Sequence, residues 1–335
     1  MFKRNKDVIV LDIGSAYTKV VVGSLHYLKP EQTKKEVTIK EMIKFETPKS
    51  DDVTDRQEFT PYFDGKQLMI ELKSVLNDYG IKTKNIALVL GGDRYITRDI
   101  VIPKVTEDKI LDMLTFEIEE YLPVSVDQYV IDYTIQEEFE EESITKYKVL
   151  VAALEKNEAK YYYDYLEDAG FSALILDAQF NGLSKLMPYM NVINGEAIET
   201  LKSTVACIDL GAKYIDVSLF DKGKMQLNRS IDNLMSKHID ESDLEAIEFD
   251  RSRANTLSNI ERIFKFYTSR SSHNAINYVL VYGGGAENQS FVEDLAEQLN
   301  ENVTTVKQID LVDCVNSYTD NVYHFLNAIS TLVRR

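Results

Sequence analysis

Cysteine is scarce in this chain of 335 residues, which has two cysteines and no tryptophan. Cys207 and Cys314 cannot build a disulfide framework, and thiols in such apolar or mixed surroundings are typical of a reducing compartment. Long apolar runs are missing too: the stretch from Val8 to Leu11 is far too short for a signal-peptide core or a spanning helix. We therefore expect a cytoplasmic protein with no direct membrane insertion.

Positive charge is also in short supply. Lysine and arginine number 38 against 55 aspartates and glutamates, a net charge of -17. So acidic a surface repels nucleic acid and anionic lipid headgroups, which argues against both as main partners. Binding of a small anion together with a divalent cation is compatible with this net charge, because the groups that line a site determine the local potential more than the distant surface charges do.

Several common chemical sites are absent from the sequence. The four histidines, His26, His238, His273 and His324, do not have the spacing of a metal site. No Ser-His-Asp grouping stands out. The phosphate-loop pattern G-x-x-x-x-G-K-[ST] does not occur, and the glycine run at 283–285 lacks the spacing of a dinucleotide fingerprint.

The chain contains an internal repeat. Residues 8–20 align without gaps to 205–217, and 85–92 align to 277–284, in the same order and at nearly the same spacing. The matched pairs are Asp12 with Asp209, Gly14 with Gly211, and Tyr17 with Tyr214. This self-similarity predicts two structurally related halves.

Strands and helices alternate along each half, which predicts an α/β fold. Each half opens with a β-hairpin that turns at Asp-x-Gly. Residues 94–154 read as strand, helix, strand and strand with no counterpart in the second half, so we predict an inserted subdomain there, with the acidic run 137–143 as a solvated loop at its hairpin tip. We also predict an irregular segment over 236–255 and a helix from Thr256 to Ser269.

The first hairpin contains the pattern Asp12-x-Gly14-Ser15-x-x-x-Lys19. Backbone N–H groups exposed in a glycine turn can hold phosphate oxygens, and Ser15 adds a hydroxyl donor. Lys19 on the returning strand can supply positive charge to terminal phosphates, and Asp12 can hold Mg²⁺ through water. Taken alone, the pattern is equally compatible with ordinary turn chemistry.

Two further glycine motifs strengthen the phosphate interpretation. Asp209-x-Gly211 would place a second hairpin opposite the first, so that both clamp phosphates and metal. Gly283, Gly284 and Gly285 lie between a predicted strand and a predicted helix, where the backbone can approach a nucleobase or ribose. A tight strand-to-helix turn remains the alternative for the glycine run.

Together these motifs resemble the two phosphate loops and the adenosine loop of the actin, sugar-kinase and heat-shock-chaperone superfamily. Within it the chain resembles the type IV pilus assembly PilM family, a relative of FtsA. The segments that carry this narrower resemblance are 101–104, 117–123, 131–133, 149–153 and 169–171. The resemblance implies an actin-like (ribonuclease-H-like) α/β fold with duplicated halves around a nucleotide cleft. It divides the chain into a first domain (1–93, 155–204 and 309–335), an inserted subdomain 1C (94–154) and a second domain (205–308).

The resemblance also implies ATP and Mg²⁺ as ligands. Asp12, Gly14, Ser15 and Lys19 take the first phosphate loop, Asp209 and Gly211 the second, and Gly283, Gly284 and Gly285 the adenosine loop, with Asp12 and Asp209 toward the metal. Glu261 and Lys265, at i and i+4 of a helix, either contact ribose and base or form a surface ion pair. Gln179 either orients water for hydrolysis or is a plain polar residue at a helix start.

The function implied is that of a cytoplasmic ATP-binding scaffold with at most weak ATPase activity. It would bind the short N-terminal cytoplasmic tail of a PilN-like inner-membrane protein, and further contact with the pilus assembly ATPase complex is a second possibility. One departure is Asp232-Asn233-Leu234, where the family usually has a Gly-Gly pair. The rival functions are an actin-like or FtsA-like filament former and a small-molecule kinase.

Overall fold

The computed structural model describes residues 7–27, 37–50, 61–237, 243–270, 275–314 and 321–334. His238 and His273 lie outside the described residues. The chain divides into two compact units. The larger contains the described residues of the segments 7–50, 62–92 and 171–334, and the smaller contains residues 61 and 93–170.

Strands and helices alternate as the sequence predicts. The described strands are β1 (Asp7–Ile13), β2 (Tyr17–Ser24), β3 (His26–Tyr27), β4 (Val37–Glu46), β5 (Asn85–Leu90), β6 (Ile96–Pro103), β7 (Tyr129–Glu141), β8 (Ile144–Glu155), β9 (Ser172–Ala178), β10 (Val192–Ile193), β11 (Glu196–Ala197), β12 (Thr204–Leu210), β13 (Tyr214–Asp221), β14 (Lys224–Asp232), β15 (Tyr278–Tyr282), β16 (Val303–Thr305), β17 (Val312–Cys314) and β18 (Val333–Arg334). The helices are α1 (Gly65–Asp78), α2 (Glu107–Ile118), α3 (Lys156–Asp168), α4 (Gln179–Leu186), α5 (Asp243–Ser269), α6 (Gln289–Leu299) and α7 (Val322–Thr331).

The larger unit contains two main sheets with the same internal order. The first runs β17-β4-β2-β1-β5-β9 and the second β14-β13-β12-β15-β16. In each sheet three antiparallel strands lead into two parallel ones. Five strands therefore correspond one to one, and the duplicated halves predicted from the sequence are confirmed.

Central strands and buried helices form the cores of these halves. Strands β1 and β12 are almost continuously apolar and buried, as expected for strands covered on both faces. Helices α5 and α6 pack Ile260, Phe264 and Leu295 against the second sheet. Helix α7 lies against β1, β2 and β5 of the first sheet, and all of its residues except Tyr323 are buried.

The smaller unit is a three-stranded antiparallel sheet, in the order β6-β8-β7, packed against α2. Ile110, Leu114 and Ile118, spaced one helical turn apart, form the buried stripe of α2. Helix α3 belongs to the same unit, where Arg94 contacts Glu158 and Tyr162. The compact unit extends to Gly170 and so includes α3, while the boundary of the inserted subdomain at 154 stays a prediction.

The acidic run 137–143 differs from the predicted loop. The β7–β8 ladder continues to the pair Glu141 and Ile144, and Glu142 and Ser143 both have positive φ, 52° and 65°. These are the angles of a two-residue turn whose twist matches that of the flanking strands. The hairpin tip is therefore tight, and the charges lie on strands.

The start of α5 also differs from the prediction. The helix begins at Asp243, so the expectation of an irregular segment up to residue 255 is wrong for 243–255. No glycine or proline occurs between 224 and 282, so nothing in the chain stops the helix from extending. Arg253 fixes the early turns by contacting Ser290 Oγ at 2.6 Å and Asp294 Oδ2 at 2.7 Å on α6.

No helix among the described residues is long and apolar enough to cross a membrane.

Candidate nucleotide site

The first hairpin places Asp12 and Lys19 directly opposite each other on β1 and β2. Their side chains share one face of the sheet, with Lys19 Nζ 3.4 Å from Asp12 Oδ2. Burial lowers the pKa of Lys19, but the nearby carboxylates of Asp12 and Asp209 outweigh it, and the net pKa is raised. Lys19 is therefore held as an ammonium ion near two carboxylates.

In the turn between β1 and β2, three carbonyl acceptors are occupied and two N–H donors are open among the described residues. Its hydrogen bonds run from Tyr62 Oη to Ile13 O, from Thr47 Oγ1 to Gly14 O at 2.7 Å, from Thr47 N to Ala16 O at 2.9 Å, and from Gly14 N to Tyr17 O at 3.1 Å. Within the described part of the chain, the N–H groups of Ser15 and Ala16 have no partner. A turn of this kind offers donors to an anion.

The turn between β12 and β13 repeats this arrangement with different residues. Asn233 donates from Nδ2 to Gly211 O and from its backbone N–H to Lys213 O, both at 2.8 Å. Among the described residues, no hydrogen bond engages the N–H groups of Gly211 and Ala212. Asn233 follows β14 as Thr47 follows β4, so the two residues play equivalent parts in the two halves.

This role of Asn233 is not evident in the sequence, where the residue stands only as a departure from a Gly-Gly pair. Its Oδ1 also accepts from Met235 N at 3.1 Å, at the start of a 3₁₀ turn. Asparagine is a common residue at such a start, so a capping signal was available. Thr47 gave no comparable signal.

Asp209 lies at the centre of the candidate site. Its Oδ2 accepts hydrogen bonds from Gln179 Nε2 and, at 2.8 Å, from Asn327 Nδ2. Burial raises the pKa of Asp209 to about 6, although Lys19 and the two amides act in the opposite direction. The structure thus brings Gln179, Lys19 and Asp209 together, and it adds Asn327, for which the sequence gave no signal.

The glycine run after β15 packs against the second hairpin. Gly283 has a φ of 85°, and a β-carbon there would overlap Asp209 Oδ1. A β-carbon on Gly285 would lie 2.8 Å from Leu210 O, whereas one on Gly284 would meet nothing within 4 Å. Two of these glycines are therefore required by close packing, and Gly284 faces open space.

Glu261 and Lys265 form an ion pair on α5, with Lys265 Nζ 2.5 Å from Glu261 Oε1. Glu261 Oε2 also accepts from Gln298 Nε2 on α6 at 3.0 Å. Among the described contacts, none joins this pair to Asp12, Lys19 or Asp209. Their role toward a base or ribose stays a prediction.

The donor set of the site suits a hydrated cation. In the described part of the chain no three histidine, cysteine or carboxylate side chains form a cluster able to hold a metal ion. Asp12 and Asp209 are two carboxylates near one lysine. Mg²⁺ commonly uses one or two carboxylates and keeps several waters when phosphates supply the other ligands, so these residues fit that ion.

Known proteins resemble this chain in sequence and in fold. The sequence model of the family described as type IV pilus assembly protein PilM matches residues 5–232. A solved structure of the PilM-PilN type IV pilus biogenesis complex superimposes with a TM-score of 0.77 at 17% identity, covering 98% of both chains. An actin-like ATPase fold protein from Bacteroides thetaiotaomicron matches with a TM-score of 0.47 at 11% identity, over 98% of this chain and 96% of that one. Ethanolamine utilization protein EutJ from Carboxydothermus hydrogenoformans has the same TM-score at 13% identity, over 98% and 90% of the chains. The structural similarity of these last two proteins is too low to support an inference about this chain.

The fold and the family follow from these observations. The duplicated sheets and the first superposition give the chain the actin-like fold expected from its hairpins. The match over 5–232 spans more than half of the sequence. The chain therefore belongs to the type IV pilus assembly protein PilM family.

Proposed function

We propose that this chain is an ATP-binding scaffold of the type IV pilus assembly platform. The observation that carries the nucleotide proposal is the pair of hairpin turns with N–H donors left open among the described residues, next to a partly buried Lys19 that lies near both Asp12 and Asp209. Fixed donors and a partly buried ammonium ion are groups suited to phosphate recognition.

Each residue of the site has a part in this proposal. The turn amides with Gly14, Ser15 and Gly211, together with Lys19, would hold the phosphates. Asp12 and Asp209 would bind the hydration water of Mg²⁺, which supplies charge neutralisation when it is bound. The open side of Gly284 would accept the adenosine. Glu261 and Lys265 are proposed to contact the ribose or base.

The position of Gln179 supports weak turnover. Its Nε2 donates to Asp209 Oδ2, so the side chain is held toward this carboxylate, and only its Oε1, which lies against Gly91, is left to accept from a water near a phosphate. We propose that ATP mainly stabilises the folded protein by mass action, with at most slow hydrolysis.

Calorimetric titration and thermal unfolding with ATP and Mg²⁺ test the nucleotide proposal. We expect saturable binding and a melting temperature that rises with ligand concentration, as linkage requires. Inorganic tripolyphosphate is the comparison ligand, and it should bind more weakly because it cannot contact the adenosine loop. Absence of binding at millimolar ATP would rule the proposal out.

We further propose that the partner is a PilN-like inner-membrane protein, bound through its short N-terminal cytoplasmic tail. The solved relative with the same fold is a PilM-PilN complex. In the smaller unit, α2 and the 3₁₀ turn after it expose Glu117, Glu119 and Glu120. Cytoplasmic flanks of membrane helices are rich in basic residues, and such charge would speed and orient docking. The chain would then lie at the inner face of the membrane through this partner, where the assembly ATPase complex is a second proposed contact.

A peptide titration tests the partner proposal. The double variant Glu117→Lys and Glu120→Lys should slow association of a PilN-like tail peptide, with a strong dependence on salt. A matched control is the pair Glu138→Lys and Glu140→Lys on β7, which makes the same change in net charge within the same unit. Equal association rates for the two double variants would place the tail site away from α2.

A further inference from the structure

Asn327 on α7 has a buried side-chain oxygen that finds no hydrogen-bond partner among the described residues. Its Nδ2 donates to Asp209 Oδ2 at 2.8 Å, and the residue is only 7% exposed. A carboxylate can only accept, so the nitrogen of the amide must face Asp209 and the oxygen must point elsewhere. Within the described residues, Oδ1 has no donor.

An unpaired buried carbonyl oxygen is costly, and most such groups in proteins have a partner or bind a ligand. Because Oδ1 is an acceptor, its missing partner must offer a hydrogen or a positive charge, which excludes a bare phosphate oxygen. The same amide holds Asp209, which is one of the two carboxylates proposed to bind the hydrated cation. Water on a divalent cation is strongly polarised and is therefore a good donor to such an oxygen.

Helix α7, which carries Asn327, also contacts the glycine run after β15 and the strand beside the first hairpin. Tyr323 O accepts from Gly283 N at 2.7 Å, in the glycine run. His324 Nε2 lies 2.6 Å from Glu287 Oε1 and 3.1 Å from Lys44 Nζ, and Lys44 is the cross-strand neighbour of Lys19. One helix thus contacts the glycine run, the second hairpin and the strand beside the first hairpin.

We propose that Asn327 is a further positioning residue of the nucleotide site. Its Nδ2 fixes the carboxylate of Asp209, and its Oδ1 accepts a hydrogen bond from the hydration shell of the divalent cation that accompanies the nucleotide. This inference rests on the proposed binding of ATP and deepens it, because it assigns to α7 the recognition of the metal.

The test compares Asn327→Leu with Asn181→Leu. Asn181 is the matched control because its Nδ2 donates to another buried aspartate, Asp177 Oδ1, also at 2.8 Å. For each protein the dissociation constant for ATP is measured with Mg²⁺ and again in EDTA, and the melting temperature is measured without ligand. We expect Mg²⁺ to increase the ATP affinity of Asn327→Leu about tenfold less than it increases that of the natural chain, with little change in the affinity measured in EDTA. In Asn181→Leu, Mg²⁺ should increase the ATP affinity as much as it does in the natural chain.

A second variant keeps the test decisive. If Asn327→Leu does not fold, Asn327→Ser, which retains a hydroxyl, should fold and lose a smaller part of the increase in affinity given by Mg²⁺. If Mg²⁺ increases the ATP affinity of a folded Asn327 variant as much as it increases that of the natural chain, this inference alone is overturned. Failure of the natural chain to bind ATP at all overturns the proposed function and this inference together.

Discussion

Gly91 lies directly against the side chain of Gln179, so that a β-carbon on Gly91 would overlap Gln179 Oε1. Gly91 follows the last residue of β5, and Gln179 begins α4. The absence of a side chain at 91 therefore leaves the space in which the Gln179 amide reaches Asp209.

Replacement of Gly91 by alanine should push Gln179 away from Asp209. We expect the free energy of unfolding to fall by about 1–2 kcal/mol, since a buried carboxylate loses a donor. The measurement is denaturant unfolding of Gly91→Ala, Gln179→Ala and the double variant. The second substitution should cost little in the Gln179→Ala background, and strictly additive losses would contradict the contact.

Replacement of Lys19 by alanine should weaken binding of both ATP and tripolyphosphate. The ammonium ion makes a charge-assisted contact of roughly 1.5–3 kcal/mol, which corresponds to about tenfold to a hundredfold in affinity. Lys40→Ala is the control, because Lys40 is also paired with an aspartate, Asp7 at 2.6 Å, but on the exposed surface. A folded Lys19→Ala protein with undiminished affinity would show that Lys19 is structural only.

The buried carboxylate of Asp209 predicts a pH dependence of stability in metal-free buffer. Its pKa is raised from 3.8 to about 6, mainly by burial, so the folded state binds a proton more tightly than the unfolded state. This contribution to stability is fully present below pH 4 and is lost as the pH rises through 6. We expect the unfolding free energy of the natural chain, measured relative to Asp209→Asn, to fall by about 2–2.5 kcal/mol between pH 4 and 7. A constant difference would mean that the carboxylate is not buried in solution.

The three glycines after β15 should respond differently to alanine. Gly284→Ala should fold with an unchanged melting temperature, because its β-carbon meets nothing within 4 Å. If adenosine packs on that open side, the variant binds ATP more weakly but tripolyphosphate normally. Gly283→Ala should destabilise the protein, since φ is positive and the β-carbon would overlap Asp209.

The ion pair between Glu261 and Lys265 on α5 allows a test of whether these residues contact the ribose or base. Glu261→Gln with Lys265→Gln should lower ATP affinity by less than about 1 kcal/mol, as expected for partly exposed charges, and should leave tripolyphosphate binding unchanged. Comparing the two ligands separates contact with base or ribose from contact with phosphate. Unchanged binding of both ligands would leave the pair with a role only between α5 and α6.

The sequence predicted those parts of the site that are encoded locally. The spacing of Asp12 and Lys19 in one hairpin, and its repetition near Asp209, follow from alternation along strands and from a short turn. The helix start at 243 was missed although Ser242-Asp243-Leu244-Glu245 has the S-x-x-E spacing of a capping box, a signal that the sequence does offer.

Contacts between segments that lie far apart in the sequence could not be predicted from local sequence patterns. Asn327 donates to Asp209 across 118 residues of sequence, and nothing near either residue indicates the other. The same holds for Thr47 and Gly14, because a threonine after a strand has many possible roles. Burial and pairing of such groups are set by the tertiary fold.

The order of the elements has a consequence for biosynthesis. Helix α7 follows in the chain both hairpins and the glycine run, yet it supplies Asn327 to Asp209 and the carbonyl that receives Gly283 N–H. While the chain is still emerging from the ribosome without α7, the strands that bear both hairpins can already be formed, but Asp209 lacks one of its two amide donors. The proposed site is therefore complete only once α7 has been synthesised, and a nascent chain stalled before Val322 would carry both hairpins without Asn327.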